Sequence, residues 1–327
     1  MQKFQELNTK RDGVIYMKNI QNYTPELLVL VGLPASGKST YAKELAEIYN
    51  ANIHSSDDIR RELSGDINNQ SINELVFKTL HNRIKEDLKN GKSCIYDATN
   101  ISYKRRMAFL NELNKIPCKK LCYLIATPYA ECIYNNLNRE RKVPEEVIER
   151  MYRNFDVPWY YEGWDKIEIV YRRDRLIYYG KPSDFYINNI NFHQDNSHHT
   201  LTLGEHCKEV WREVAEAVGE DNDELIYAGL LHDCGKPFCK TFTNSKGEIT
   251  EQAHYYDHEK VGAYNSLFYD VSSWLGIDNL KIAILIRWHM QLYFIKEEKT
   301  LNKYRKLWGE ELYRDLQLLH EADKNAH

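Results

Sequence analysis

Apolar and polar positions alternate along the first half of the chain in a pattern typical of strands joined by helices. The run from Leu27 to Val31 is continuously apolar, as expected for a buried parallel strand, and it leads through a glycine-containing loop to a helical pattern over Ser39–Tyr49. Further segments follow the same alternation: strands at 93–96, 120–126, 167–171 and 176–179, and helices at 71–90, 103–113 and 145–155. The last two strands either close the sheet or form a hairpin. This order predicts an α/β domain with a parallel sheet over residues 1–180. Residues 1–25 of this domain are predicted to be a polar leader.

The pattern changes after residue 180. Residues 181–197 are rich in Pro, Asn, Asp and Ser, which is typical of a linker. Residues 198–327 then show only helical spacing, with helices predicted at about 203–218, 223–232, 257–268, 279–289 and 309–322. The second domain is therefore predicted to be all-α.

Composition agrees with two soluble domains. The chain has 327 residues, of which 43% are apolar and 28% charged, values that argue against disorder, a collagen-like repeat or a coiled-coil rod. The formal net charge of −4 excludes a wholly basic nucleic-acid binder of the histone kind and leaves a local binding groove open.

The cellular location is predicted from the lack of a membrane span or secretory signal in the sequence and from the number of cysteines. No apolar run approaches the roughly 20 residues of a membrane span, and the first ten residues lack the apolar core of a secretory signal. The seven cysteines are an odd number spread through a large chain, which favours reduced thiols. We therefore expect a cytoplasmic protein that does not use a membrane.

The most specific signal is the segment GLPASGKS, which fits G-x-x-x-x-G-K-[ST] directly between a strand and a helix. In such a loop, backbone N–H groups surround phosphate oxygens and the helix N-terminus adds partial positive charge. Lys38 is expected to reach the β and γ phosphates, and the Ser39 hydroxyl to bind the Mg²⁺ that bridges them. The predicted ATP or GTP contacts are Gly32, Pro34, Ala35, Ser36, Gly37, Lys38, Ser39 and Thr40.

Acidic residues follow two further predicted strands, where the ligand crevice of a parallel sheet opens. A carboxylate of Asp57 or Asp58 can accept the proton of an attacking hydroxyl, and one of the two can also cap the helix that includes Ile59. Asp97 ends an apolar strand. It is interpreted either as a magnesium-linked or substrate-orienting acid or as part of a structural turn.

Two groups of cations lie later in the same half. Arg139, Arg141 and Lys142 precede Pro144, at a place where a mobile lid can bring positive charge onto a transferring phosphoryl group. The basic run at 104–106 is more often a solvated helix face than a nucleic-acid contact.

Residues 27–172 resemble the phage-type 5′-hydroxyl polynucleotide kinases and their P-loop relatives in the segments GLPASGKST, SSDDIRREL, YDATN with KRR, and NNLNRERKVPEEVIERMY. The resemblance implies transfer of the γ-phosphate of ATP to a 5′-hydroxyl end of RNA or DNA. The implied roles are general base for Asp57, acceptor-phosphate contact for Arg60, second acceptor-site acid for Asp97 and lid arginine for Arg139. Asn135 departs from the pattern, because an arginine often precedes the lid there.

Histidines concentrate in the second half, since only His54 and His81 of the twelve lie before residue 181. A single histidine is more often a core or surface residue than a ligand, but a His-Asp pair with several further histidines favours a metal site. Mixed imidazole and carboxylate ligands suit Mn²⁺, Fe, Co²⁺ or Zn²⁺. The candidate ligands are His206, His232, Asp233, His258, His289 and Asp323.

Residues 193–327 resemble the HD phosphohydrolase superfamily, and the segments GLLHDCGKP and HEKVGA are especially similar to the HD domain fused to some CCA-adding tRNA enzymes. The resemblance implies a helical metal site that hydrolyses phosphoesters, with Lys236 near the substrate phosphate. The implied ligands of a first metal are His206, His232, Asp233 and Asp323, and those of a second are His258, His289 and a bridging Asp233. The alternative is a degenerate HD fold.

The remaining histidines receive weaker interpretations. His198 and His199 either line the metal site or only pack in a loop. His254, His320 and His327 are interpreted as surface residues.

The leading hypothesis is a bifunctional nucleic-acid end-healing enzyme. It phosphorylates 5′-hydroxyl ends with ATP and Mg²⁺ and uses one or two divalent transition metals to remove a 3′ or 2′,3′-cyclic phosphate, with RNA favoured over DNA. The hypothesis assigns the joining of the healed ends to a separate ligase in the same pathway. Two alternatives stay open: a nucleoside or metabolite kinase fused to a nucleotidase, and an ATP-gated regulatory protein with a degenerate HD module.

Overall fold

The computed structural model describes residues 24–171, 179–197, 200–219, 222–271 and 276–326. Strands and helices alternate in the first domain, as the apolar pattern predicts. The strands are β1 (Glu26–Val31), β2 (Asn52–Ser55), β3 (Cys94–Asp97), β4 (Lys119–Ala126) and β5 (Lys166–Tyr171). The helices are α1 (Lys38–Tyr49), α2 (Ser56–Ser64), α3 (Asn73–Lys89), α4 (Tyr103–Glu112), α5 (Tyr129–Leu137) and α6 (Glu145–Arg153).

The five strands form one parallel sheet in the order β2-β3-β1-β4-β5. Residues 27–31 of the central strand are all buried, because helices cover both faces of a sheet of this kind. The carboxyl ends of the strands lie at one edge of the sheet. The loop after β1, helix α2 after β2, Asp97 at the end of β3 and Thr127 after β4 therefore meet there.

The basic run in α4 is not a uniformly solvated helix face. Lys104 and Arg105 are exposed, but Arg106 is buried. Nε and Nη2 of Arg106 donate to the two carboxylate oxygens of Glu162 at 2.7 and 2.5 Å, and Nε1 of Trp164 donates to the same carboxylate at 3.1 Å. The interpretation as a solvated face is wrong for Arg106, whose side chain instead joins α4 to the segment after α6.

We expect Glu162→Gln to destabilise the protein by about 3–5 kcal/mol, because it leaves the buried Arg106 charge without a counterion. Chemical denaturation measures the change. The matched control is Glu168→Gln, which breaks the exposed pair with Lys166 and should cost less than about 1 kcal/mol. Equal changes in the two variants would contradict a structural role for the Arg106 pair.

The second domain is helical, as predicted. Its helices are α7 (Pro182–Asn189), α8 (Leu203–Val218), α9 (Asp223–Leu231), α10 (Lys236–Cys239), α11 (His258–Ser266), α12 (Asn279–Trp288), α13 (Gln291–Phe294) and α14 (Glu298–Asn325). They surround a buried core that includes Leu231, Val261, Leu285 and Leu316.

The structure departs from the predicted pattern in three places. The predicted linker contains α7, which packs against α8 of the second domain. An antiparallel pair, β6 (Thr241–Thr243) and β7 (Ile249–His254), interrupts the expected run of helices. Residues 298–308 of α14 are also helical, which the pattern does not predict; Gly309, with a φ of 76° and a ψ of 168°, separates them from the helical segment that agrees with the predicted helix at 309–322.

Contacts between the two domains are extensive, and apolar residues of both share one continuous buried cluster. The Tyr152 hydroxyl donates to Asn265 Oδ1, and Nε of Arg287 pairs with Asp156 Oδ1 at 2.8 Å. Both pairs join the first domain to the second. The two domains are therefore docked against each other.

Several expectations lie outside the described residues. They concern leader residues 1–23, most of the strand predicted at 176–179, and His198, His199 and His327. A search of the described helices finds none long and apolar enough to cross a bilayer.

Candidate active sites

The loop between β1 and α1 is shaped by its small residues. Gly37, at the start of α1, has a φ of 96°, and Ala35 has a φ of 61°. A Cβ atom at Gly32 would lie 2.8 Å from Ser36 Oγ and 3.1 Å from the Ile125 carbonyl oxygen. Only glycine fits at Gly32 without displacing its neighbours. Thr40 follows in the first turn of α1.

Lys38 lies inside this loop. Its ammonium Nζ donates to the carbonyl oxygens of Gly32 at 3.0 Å and Leu33 at 2.6 Å. Burial lowers the pKa of Lys38 to about 8, although the charge of Asp97 opposes the change. The lysine is thus held against the loop that is predicted to receive phosphate.

We expect Lys38 to take up a proton when the protein binds ATP above pH 8. The pKa of Lys38 in the free protein is about 8, and phosphate oxygens favour the charged ammonium, so the affinity should fall as pH rises, by up to about tenfold per pH unit. Calorimetry at pH 9 in two buffers of different ionisation enthalpy measures the uptake. At pH 7 the lysine is already charged and serves as the control. Equal binding enthalpies in both buffers at pH 9 would contradict the prediction.

Asp97 faces the phosphate loop and not a surface turn. It is buried, and it accepts a hydrogen bond from the Ser39 side chain. Burial raises the pKa of its carboxyl, while the Ser39 hydrogen bond and the Lys38 charge oppose that effect. Asp97 therefore lies beside Lys38 and Ser39 of the phosphate loop.

Asp57 lies in the first turn of α2, between two arginines. Its Oδ1 pairs with Nη1 of Arg60 at 3.0 Å, and its Oδ2 pairs with Arg141. Ser55 is the N-cap of this helix, since its hydroxyl accepts from the Asp58 N–H. The capping interpretation of the two aspartates is therefore wrong.

The two predicted phosphate-site arginines differ in their surroundings. Arg60 is buried, and its Nη2 donates to Asn73 Oδ1 at 2.7 Å. Arg139 donates to Asn136 Oδ1 at 3.1 and 2.8 Å and does not pair with Asp57. Arg141, two residues further, makes that contact.

Two residues of this site were missed or under-used by sequence reasoning. Arg141 belonged to the predicted lid cations, but the resemblance selected Arg139. Asn135 was noted only as a departure, and in the structure its Nδ2 donates to the Ala35 carbonyl oxygen of the phosphate loop at 3.3 Å. The position of Asn135 before the lid was the available signal, and its contact depends on how α5 packs against the loop.

In the second domain, the predicted ligands come together in one buried cluster. Nε2 of His206 and Nε2 of His232 are 3.3 Å apart, and the same two atoms of His258 and His289 are also 3.3 Å apart. Oδ1 of Asp323 lies 3.1 Å from Nε2 of His206. The six side chains fall into two neighbouring groups of donors.

Asp233 lies between the two groups. Its Oδ2 is 3.2 Å from Nε2 of His232, and its Oδ1 is 3.2 Å from Nε2 of His258. One carboxylate thus presents a different oxygen to each pair of histidines. Nζ of Lys236 lies 2.6 Å from the same Oδ2 and donates to Gln194 Oε1 at 2.8 Å, so Gln194 is a further residue at this site.

The second nitrogen of each imidazole is held by the backbone. Nδ1 lies within 2.9 Å of a carbonyl oxygen in all four histidines: Ala326 for His206, Gly229 for His232, Tyr255 for His258 and Ile286 for His289. A carbonyl accepts only from an N–H, so in the neutral form of each ring Nδ1 carries the proton and Nε2 carries the free lone pair. This arrangement orients all four Nε2 atoms as ligands.

The donor set fits divalent cations. In each of two groups, His206 with His232 and Asp323, and Asp233 with His258 and His289, the ligand atoms lie within 4.8 Å of one another. Nitrogen and carboxylate donors of this kind suit Mn²⁺, Fe, Co²⁺ or Zn²⁺. The Tyr293 hydroxyl donates to Asp323 Oδ2 at 3.0 Å, and sequence reasoning gave no signal for it.

Two histidines of the cluster have opposite pKa changes. Burial acts to lower the pKa of His232, but the carboxylates of Asp233 and Asp323 outweigh it and raise that pKa to about 10. Burial and the neighbouring charges of His232 and His258 lower the pKa of His289 to about 3. A cation that binds here must displace the proton favoured on His232.

Two family models match separate parts of the chain. A family model described as an AAA domain matches residues 27–158, and one described as an HD domain matches residues 197–326. With the parallel sheet and the helical cluster, these matches define a P-loop kinase fold followed by an HD domain. This combination is that of an enzyme.

Individual relatives match the first domain. The chain is similar to L-seryl-tRNA(Sec) kinase of Methanococcus maripaludis, with 33% identity over 147 residues that cover 44% of this chain and 57% of that protein. It therefore spans little more than half the length of this curated relative.

Among solved structures, it is similar to a chain of the Pnkp1/Rnl/Hen1 RNA repair complex (24% identity, 42% of this chain and 45% of that chain, TM-score 0.36). It is also similar to a gluconokinase from Sinorhizobium meliloti (12% identity, 47% of this chain and 86% of that chain, TM-score 0.35).

Proposed function

We propose that this protein heals the ends of broken nucleic-acid strands, with RNA as the substrate. Its first domain transfers the γ-phosphate of ATP to a 5′-hydroxyl end, and its HD domain removes a 3′ or 2′,3′-cyclic phosphate. A separate ligase then joins the ends. The observation that carries the proposal is Asp57, a carboxylate held between Arg60 and Arg141 at the sheet edge that also carries the phosphate loop.

This arrangement supports the following course of phosphoryl transfer. The acceptor hydroxyl oxygen attacks the γ-phosphorus, the bond from that phosphorus to the β–γ bridging oxygen breaks, and ADP leaves. Asp57 accepts the hydroxyl proton. Arg60 and Arg141 bind the phosphate next to the acceptor hydroxyl, which distinguishes a strand end from a free nucleoside. Lys38 stabilises the charge that develops on the phosphates, and Ser39 and Asp97 would hold the Mg²⁺ that accompanies ATP.

In the HD domain, His206, His232, Asp233 and Asp323 would hold one divalent cation, and His258, His289 and Asp233 a second. Such a cation supplies Lewis-acid stabilisation of charge on a phosphoryl oxygen. Lys236 lies beside Asp233, where its ammonium can bind a substrate phosphate oxygen. The described ligand set argues against the degenerate HD alternative.

Similarity to L-seryl-tRNA(Sec) kinase suggests a second candidate for the acceptor of the phosphoryl group. That protein is named as a kinase of L-seryl-tRNA(Sec), and its similarity to this chain covers the kinase domain. A hydroxyl on a seryl group carried by tRNA is therefore the second candidate. Both candidates place the acceptor hydroxyl on an RNA molecule.

Labelled ATP distinguishes the acceptors. The protein is incubated with Mg²⁺ and, in parallel, with a 5′-hydroxyl oligoribonucleotide, its DNA equivalent, seryl-tRNA and free nucleosides. We expect label on the oligoribonucleotide. Label on seryl-tRNA alone would select the second candidate, and label on free nucleosides alone would overturn both.

The HD activity needs a separate assay. RNAs that end in a 3′-phosphate or a 2′,3′-cyclic phosphate are incubated with Mn²⁺, Co²⁺ or Zn²⁺, and the products are separated by charge. We expect loss of the terminal phosphate group. Turnover of a generic phosphoester without any action on the RNA ends would favour a nucleotidase.

A further inference from the structure

One tyrosine of the HD domain reaches the kinase domain at the carboxyl end of β4. The Tyr264 hydroxyl, on α11, donates to the Thr127 carbonyl oxygen at 2.7 Å and accepts from the Thr127 N–H at 3.3 Å. Thr127 directly follows β4. The phenol of the second domain thus satisfies two buried backbone groups of the first.

Thr127 in turn holds the phosphate loop. Its hydroxyl donates to the Ser36 carbonyl oxygen at 2.9 Å. Tyr264 and Ser36 are fully buried, and Thr127 is 1% exposed, so water does not compete for these bonds. A continuous chain of hydrogen bonds therefore runs from α11 to the loop.

Ser36 connects this chain of hydrogen bonds to nucleotide binding. The peptide bond is planar and trans, so the Ser36 carbonyl and the Gly37 N–H point in opposite directions. A hydroxyl that fixes the carbonyl on the Thr127 side also directs the Gly37 N–H away from it. Backbone N–H groups of such a loop are the donors to nucleotide phosphates.

We propose that Tyr264 is a positioning residue for the ATP site, so that the HD domain completes the nucleotide site of the kinase domain. This inference rests on the proposed kinase function only in requiring that the loop bind ATP. Tyr264 acts through Thr127 and does not itself touch the nucleotide. The second domain thereby contributes to the first reaction as well as carrying its own site.

Variants of the full-length protein test whether the hydrogen bonds from Tyr264 through Thr127 to Ser36 contribute to ATP binding. Tyr264→Phe removes the hydroxyl and keeps the ring packed against Phe155, and Thr127→Val removes the hydroxyl that reaches Ser36. Each should weaken binding of Mg²⁺–ATP, measured by calorimetry, about 3- to 10-fold, the effect of one lost hydrogen bond. Thr127→Ser keeps the hydroxyl and should stay within about twofold of wild type. The KM for ATP should rise while kcat at saturating ATP changes less.

Tyr152→Phe is the matched control. It removes another tyrosine hydroxyl that bonds across the same interface, to Asn265, without a bond to the phosphate loop. Its ATP affinity should equal that of wild type, and the unfolding temperatures of the variants show that each is folded. Wild-type affinity in Tyr264→Phe, or an equal loss in Tyr152→Phe, would overturn the inference. Because binding needs no acceptor, failure of the proposed acceptor would leave this result intact.

Discussion

Asp57→Asn should abolish most of the kinase activity while the protein still binds ATP. Loss of a general base costs about 10²- to 10⁴-fold in kcat, because the acceptor proton no longer has a carboxylate to receive it. The amide is close in size to the carboxylate, and the phosphate loop is formed by other residues. Steady-state phosphorylation of the preferred acceptor measures the loss, and calorimetry measures ATP binding.

Asp58→Asn is the control for this variant. Asp58 lies on the same turn of α2, but it is exposed and its carboxylate pairs with Arg61. Its activity should stay within about twofold of wild type, since an exposed pair of this kind contributes little. HD phosphoesterase activity should be unchanged in both variants. A loss of similar size in Asp58→Asn, or a full rate in Asp57→Asn, would show that Asp57 is not the base.

The sequence predicts the kinase core well because its signals are local. The apolar run at β1, the glycines of the phosphate loop and the helix after it lie within one short segment, so spacing alone indicates their arrangement. Asp57 and Asp97 follow strands, and parallel strands bring their carboxyl ends to one edge.

Contacts made between distant segments could not be predicted in the same way. Arg106 reads as part of a basic run, and only the fold places Glu162 beside it. Arg139 and Arg141 are alike in sequence, and the course of the chain before Pro144 decides which one meets Asp57. Tyr264 gives no local signal at all, because its partner belongs to the other domain.

The grouping of the histidines and aspartates in the second domain was predictable for a different reason. Three of its histidines bond a carbonyl three residues earlier: His232 to Gly229, His258 to Tyr255 and His289 to Ile286. Local backbone near a helix end thus orients each of these three rings. A histidine at a helix end was therefore a usable sequence signal for this site. Gln194 and Tyr293 join the site through tertiary packing, which the sequence pattern does not show.

Asp233→Asn should lower both the metal content and the HD phosphoesterase activity, the latter by about 10³-fold, because several kcal/mol of charge stabilisation are lost with the cations. The carboxylate offers one oxygen to each histidine pair, and an amide retains only one such oxygen. Elemental analysis of the purified protein measures the metal, and a 3′-phosphate RNA measures the activity. Kinase activity should remain.

Loss of Asp233 also leaves the buried Lys236 without its ion pair, so stability must be followed with the metal content. Asp323→Asn, at a less buried ligand of the first group, should lower metal content and activity with a smaller change in unfolding temperature. Asp257→Asn is the control, because Asp257 pairs with Lys260 outside the cluster and asparagine tolerates its φ of 62°. Full metal content and full activity in folded Asp233→Asn would show that Asp233 is not a required metal ligand.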